Sequence, residues 1–465
     1  MADLVIPLAH ALVGREDLPI PAWLFAWGAS LVLIVSFAAL AVAWRTPRFE
    51  EDRWRPAPGW LSRLATNPVT ETVAGLVGVA LLAVVVWSGL SGTDQPNANF
   101  SITFVFVTVW LGMVLLSVPL GDVFRAFNPW RAIARAAGGA LSLLTRRPRP
   151  APLPYPEWLG RWPAVIGLLA FLWLELVFPS GTQTGGVAPR DAALATLLYT
   201  AITLFAMSAF GTEKWLERGE SFSVYFGMFS RLAALERRGD RLGFRRPLAA
   251  AGRWAQVPGS VALVLVAIGG TSFDGAQEGA LTDAIKSVFD WLTERGLGFA
   301  DALRLTDTLF LVLTLVAVAG LFALGIRGMR TVPGSPSVVR LRRAFGHTLI
   351  PIALAYLVAH YFSLFLFQEQ AQFGYLLSDP LGDGSDYFGT AAAGIDYGLI
   401  GATEVWYVQV AALVIGHVAG LTLAHDRALT VYKDPRSATR SQYWMLAVMI
   451  GFTCLGLFLL SQANT

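Results

Sequence analysis

Cysteine and charge are what this chain has least of. One cysteine, Cys454, occurs in 465 residues, so no intrachain disulfide can form and the thiol says nothing about redox compartment. Charged residues make up 14% of the sequence and hydrophobic ones 55%, too little charge to cover a soluble globular surface. The net charge of +3 gives no sign of a nucleic-acid partner, and none is expected. Familiar catalytic signatures are missing too. There is no Walker-type phosphate loop, no G-x-S-x-G elbow, no H-E-x-x-H and no cysteine pair for an iron–sulfur cluster. No motif declares a mechanism.

What is there is apolar sequence in long runs. A bilayer core about 30 Å thick needs roughly 20 helical residues. Suitable runs lie near 21–44, 71–91, 101–120, 163–179, 191–210, 257–273, 305–327, 345–368, 402–424 and 442–461. The fold class expected is therefore an all-α integral membrane protein of about ten transmembrane helices. The sixth run, "PGSVALVLVAIGGTSF", is short and glycine-rich, and reads as a full span or as a broken, re-entrant one.

Arginine then sets a direction, because retained cytoplasmic loops are enriched in Lys and Arg. The basic segments "WRTPRFEEDRWR", "NPWRAIARAAGGALSLLTRRPRP", "RLAALERRGDRLGFRRP", "RGMRTVPGSPSVVRLRR" and "HDRALTVYKDPRSATR" follow the first, third, fifth, seventh and ninth spans. Every second connection is basic, so both termini are expected outside. The N-terminal segment has no basic leader and no clear cleavage site, so no signal peptide is expected and its residues are assigned to the outer face.

Once the spans are removed no sizeable soluble domain remains, and 1–465 reads as a single polytopic membrane domain. Two connecting segments, near 128–145 and 221–238, combine apolar residues at helical spacing with arginines and read as interfacial helices on an anionic inner leaflet. Each follows a hairpin of spans ending in a polar junction, "GDVFRAFNPW" or "FGTEKWLERG", a pattern that suggests a repeated unit.

Ionisable side chains inside such spans are costly unless paired, so they are the first candidates for function. At 1.5 Å per helical residue, His347 falls at the inner end of the eighth span and His360 about 20 Å further out. The ninth span returns, leaving His417 about 12 Å from the inner surface and His425 at it. His347, His417 and His425 are candidate metal ligands, with a divalent ion as the possible cofactor, but no span carries the close His and carboxylate pairs by which one helix gives two ligands. Haem is not expected. The thirteen-residue spacing of His347 and His360 suits two stacked haems, whereas the partner span spaces its histidines by eight. Glu175 in "FLWLELVFPS" and Gln409 in the ninth span fall at about the depth of His360. These three are the candidate catalytic residues, an acid, an imidazole and an amide in the outer half, with Glu369 and Glu404 at the rim. The acidic loop "LSDPLGDGSDYFG" beyond them does not follow the calcium-loop pattern.

Five stretches, "LPIPAWLFAWGASLVLIVSFAALAVAW", "GDVFRAFNPWRAIAR", "FGTEKWLERGESFSVYFGMFSRLA", "HTLIPIALAYLVAHYFSLFLFQEQ" and "VWYVQVAALVIGHVAGLTLAHDRAL", resemble polytopic membrane proteins of high-GC bacteria identified as fenitrothion hydrolases. The resemblance runs over nearly the whole length. It implies a bacterial cytoplasmic membrane and hydrolysis of an organophosphorus triester to a nitrophenol and a dialkyl thiophosphate, and it assigns no catalytic residue. In such a hydrolase His360 and Glu175 would activate water, directly or through a metal. The residues alone support two further functions: a transporter whose deep Glu and His handle protons or a small lipophilic substrate or ion, and a haem or metal protein of electron transfer or assembly.

Overall fold

The computed structural model describes residues 22–49, 53–146, 151–179, 186–277 and 279–463. The N-terminal segment assigned above to the outer face lies outside them, as do 147–150 and 180–185 in the third and fourth connections. Ten apolar helices follow the ten runs: α1 Ala22–Ala43, α2 Pro68–Ser91, α3 Phe100–Leu120, α4 Trp162–Leu176, α5 Pro189–Phe210, α6 Ser260–Gln277, α7 Phe299–Gly328, α8 Ile350–Ala371, α9 Ala402–Tyr432 and α10 Tyr443–Ala463. Among the described residues nine helices are long and apolar enough to cross a bilayer, and α4 is a shorter apolar one. The chain is an all-α multi-span membrane protein in contact with lipid. Asparagine starts several of the helices: Asn67 and Asn99 each accept a backbone N–H two residues on, and Pro68 fills the first turn of α2 where no N–H is needed.

The odd-numbered connections gather at one end. Glu71 at the start of α2 pairs with Arg135 beyond α3 at 3.1 Å and with Arg237 beyond α5. Glu213 binds Arg125, Arg131 and Arg135 at 2.9, 3.1 and 3.1 Å. Asp426 near the end of α9 accepts Trp44 Nε1 at 2.9 Å, just beyond α1, and Tyr432 donates to the Met329 carbonyl after α7 at 3.1 Å. The other end joins even-numbered connections, with Tyr375 donating to the Asn97 carbonyl at 3.0 Å and Arg304 Nε to the Phe178 carbonyl at 3.0 Å. An odd error in the number of helices would have scattered the arginines over both ends.

Three antiparallel strands, β1 Arg55–Pro56, β2 Leu235–Arg238 and β3 Arg241–Phe244 in the order β1-β3-β2, cap the arginine-rich end. They correct the expectation for 221–238. That segment is not an interfacial helix but a buried helix, Ser221–Phe229, followed by β2. Phe222, Phe226 and Phe229 do share a helical stripe, the first partly buried and the others buried, but Val224, Tyr225 and Met228 fill the remaining faces and are buried too, and a helix apolar all round belongs in a core. Glu220 holds its first turn inside, accepting the Phe222 and Ser223 N–H groups at 2.9 and 2.8 Å and the Tyr199 hydroxyl. Burial pushes the Glu220 carboxyl above its ordinary range, against those hydrogen bonds. Pro129–Thr145 is the amphipathic helix expected at 128–145, capped by Asn128. The two polar junctions that suggested a repeat bind each other, and the segments after them part ways, one over the surface and one into the core.

The sixth run is also settled: α6 is one continuous helix, and the most buried of the long apolar ones. It packs against α4, α7, α8 and α10, and its glycines let two neighbours close in: a Cβ on Gly269 would come within 2.7 Å of Leu315, and one on Gly270 within 2.6 Å of Leu172. Low hydropathy here marks a helix that meets protein rather than lipid.

The arginine cluster yields a pH prediction. Burial alone would raise the Glu213 carboxyl, but Arg125, Arg131 and Arg135 outweigh it and hold the group below the ordinary value of 4.5. A depressed folded-state pKa contributes stability above the unfolded value that is lost as pH falls through the folded one. Glu213→Gln should therefore lower the melting temperature modestly at neutral pH, since the side chain is half exposed and salt-screened, and the two curves should converge as pH falls below about 4.5, which leaves the variant a flatter acid limb. Thermal unfolding followed by tryptophan fluorescence across that range checks it; parallel curves for the two proteins would contradict it.

Candidate functional site

Beyond the midpoint of the bundle, α6 and α8 bring an acid to a base. Asp274, one turn from the end of α6 and fully buried, accepts the His360 Nε2 hydrogen at 2.8 Å and the Tyr361 hydroxyl at 2.7 Å on Oδ2, and Gln277 Nε2 at 3.0 Å on Oδ1. Three donors converge on one carboxyl group, and the bond to Nε2 fixes the imidazole that faces it. The bond through Nε2 places the other ring nitrogen, Nδ1, on the Gly275 side, where an added Cβ would come to 3.3 Å. Gly275 thus leaves room for the Nδ1 edge of the ring beside α6.

His360 also faces a small cavity. Thr271 and Ser272 of α6, Tyr356 of α8, Leu413 of α9 and Gly456 of α10 line it with the imidazole. It has room for a water molecule or two, far below the several hundred Å³ of a drug-sized ligand. Tyr356 turns its hydroxyl to the Phe452 carbonyl at 2.8 Å, and a Cβ on Gly456 would come within 2.6 Å of it.

On the other side of Asp274 the polar chain continues. Glu175 on α4 lies within electrostatic reach of both Tyr361 and Tyr225. Tyr225, on the buried helix Ser221–Phe229, stacks on Trp110 of α3 with ring centroids 4.4 Å apart and planes 5° from parallel. The result is a cluster of ionisable groups in the bundle interior around Tyr361: Asp274, His360, Glu175 and Tyr225.

Glu175 and His360 have Tyr361 as a common neighbour, Glu175 by its field and His360 with ring centroids 4.5 Å apart. Helices α8 and α9 pack directly on each other, whereas α6 stands between α4 and α8. Gln409 is buried on α9, one turn from cavity-lining Leu413, with its Oε1 unpartnered. The residue missed was Asp274. Ending the sixth span at Phe273 turned its acid into a loop residue; the signal for a longer helix was the continuing stripe of small residues, Gly269, Ser272 and Ala276.

The remaining histidines are spread out. His425 donates through Nε2 to the Trp44 carbonyl at 2.9 Å and accepts from Gln442 at 3.1 Å. His417 donates to Leu413 O on its own helix at 2.7 Å. His347 is buried at the arginine-rich end against Gly252 and within reach of Arg427. The three weighed as metal ligands thus engage separate neighbours, and among the described residues no three His, Cys, Asp or Glu side chains gather as a metal cluster.

Fold and site together define a polytopic helical membrane protein with a buried chain of titratable groups. No family model, curated protein or solved structure matches it.

Proposed function

We propose that the protein is a proton-handling transporter of a bacterial cytoplasmic membrane. The observation that carries this reading is that two carboxyls, the buried Asp274 and the partly buried Glu175, share the neighbouring Tyr361, while His360 links the first of them to a cavity. Water in the cavity can give a proton to His360, the Asp274 carboxylate stabilises the imidazolium, and the Tyr361 hydroxyl bridges towards Glu175. Hydrogen-bonded groups in low dielectric suit proton exchange, and the size of the cavity suits water or a small ion better than a triester.

The test uses liposomes holding the purified protein and a trapped pH dye, with an inside-negative potassium diffusion potential. Inward proton flux should exceed that of empty vesicles and fall at least about tenfold in His360→Ala. Flux equal to empty vesicles sinks the reading.

A second reading rests on the same pair. An imidazole oriented by a buried carboxylate beside a cavity is also how a general base is built, and the resemblance to fenitrothion hydrolases favours it. Purified protein would then release nitrophenol from fenitrothion, and His360→Ala would abolish release without changing vesicle flux.

A further inference from the structure

We infer that a second site, independent of the Asp274 cluster, binds a sodium ion between α3 and α8 at the end of the bundle opposite the arginines. Glu369 lies near the end of α8, with both carboxyl oxygens buried and neither hydrogen-bonded. Thr108 of α3 neighbours that carboxyl, with its hydroxyl a donor within reach of it. Gln372 follows Glu369 by three residues, which puts it on the same helical face. It is 3% exposed, and its Oε1 is also without a partner. Four oxygens on three side chains thus lie on two packed helices, with the Thr108 hydroxyl as the donor beside the carboxyl and Gln372 Oε1 left without one.

The backbone on both sides is loosened. Residues Phe104–Gly112 of α3 wind as a π-helix, and so do Gln372–Leu376 beyond α8, where Gly374 leaves helical geometry altogether with φ −89° and ψ −110°. Such turns recur at functional sites, and in transporters interrupted helices turn carbonyls towards bound sodium. Buried acceptors without donors are expensive, and a cation satisfies several at once. A single proton on Glu369 would serve one further oxygen at most. Oxygen ligands select a hard cation, and one formal negative charge balances a monovalent one.

Melting of the purified full-length protein in sodium chloride against equimolar choline chloride tests the site. Sodium should raise the midpoint saturably, by about 2–5 °C. Glu369→Gln should remove that rise while His360-dependent proton flux persists, so this inference and the proton reading can fail separately. Thr108→Val, a milder change, should raise the half-saturating sodium concentration about tenfold, since it removes one ligand. Equal midpoints in the two salts for the wild type, a rise that survives Glu369→Gln, or an unaltered half-saturation in Thr108→Val would overturn the site.

Discussion

Replacing Asp274 with asparagine is expected to reduce proton flux by about 100-fold or more while leaving the protein folded. The prediction follows from counting hydrogen bonds. An asparagine oxygen in the place of Oδ2 still accepts from Tyr361 and His360, and its amide then faces Gln277, whose side chain can turn to present oxygen instead of nitrogen. Shape and hydrogen bonds survive, and only the charge that stabilises the imidazolium is lost. Asp274→Ala differs in kind, because it strands three donors that now converge on the carboxylate, at about 1–3 kcal/mol for each buried group left unsatisfied. Alanine should lower folded yield and melting temperature together. Flux in proteoliposomes and melting in detergent, run on both variants, separate the acid's chemistry from its structural part. Wild-type flux in the asparagine protein would refute the relay.

Legibility in the sequence followed the physics of each signal. Hydropathy revealed the spans because every lipid-facing residue must be apolar, and arginine marked one end because its cost in hydrocarbon confines it to the connections. Those signals describe contact with lipid. They weaken where helix meets helix, which is where this sequence misled. Helix α6 was read as short because a helix surrounded by protein can carry Gly269, Gly270, Thr271 and Ser272 in its interior, and Asp274 was lost with its last turn. The helix Ser221–Phe229 has the sequence look of a membrane-surface helix because arginines follow it, although Arg237 and Arg238 belong to β2. Glu175 and His360 were found because an ionisable residue within an apolar run is conspicuous. Tyr225 and Tyr361 were not, since tyrosine is ordinary in a span and only its neighbours give it a role.

The second large effect expected is on folding, at the crossing of α8 and α9 that holds His360 in place. Gly416 and Gly420 lie four apart on α9, a small-xxx-small pattern that lets two backbones approach in a membrane. A Cβ on Gly416 would stand 2.3 Å from the Ala355 Cβ and 2.7 Å from the Pro351 carbonyl oxygen; on Gly420 it would stand 3.0 Å from the Thr348 carbonyl oxygen. Two of these contacts are to backbone, which cannot swing aside as a side chain can. Gly416→Leu must therefore push α9 off α8, withdrawing Leu413 from the cavity and the support behind Tyr356 and His360. Overpacking of this kind costs about 3 kcal/mol or more, and the variant should not yield a monodisperse protein. Gly416→Ala should fold with a lowered melting temperature. Pairing it with Ala355→Gly removes the closer of its two clashes, so the double variant should melt higher than the single one although it carries a second change. If Gly416→Ala melts with the wild type, or if Ala355→Gly restores nothing, α8 and α9 are not in the contact described, and the geometry that places His360 at the cavity goes with it.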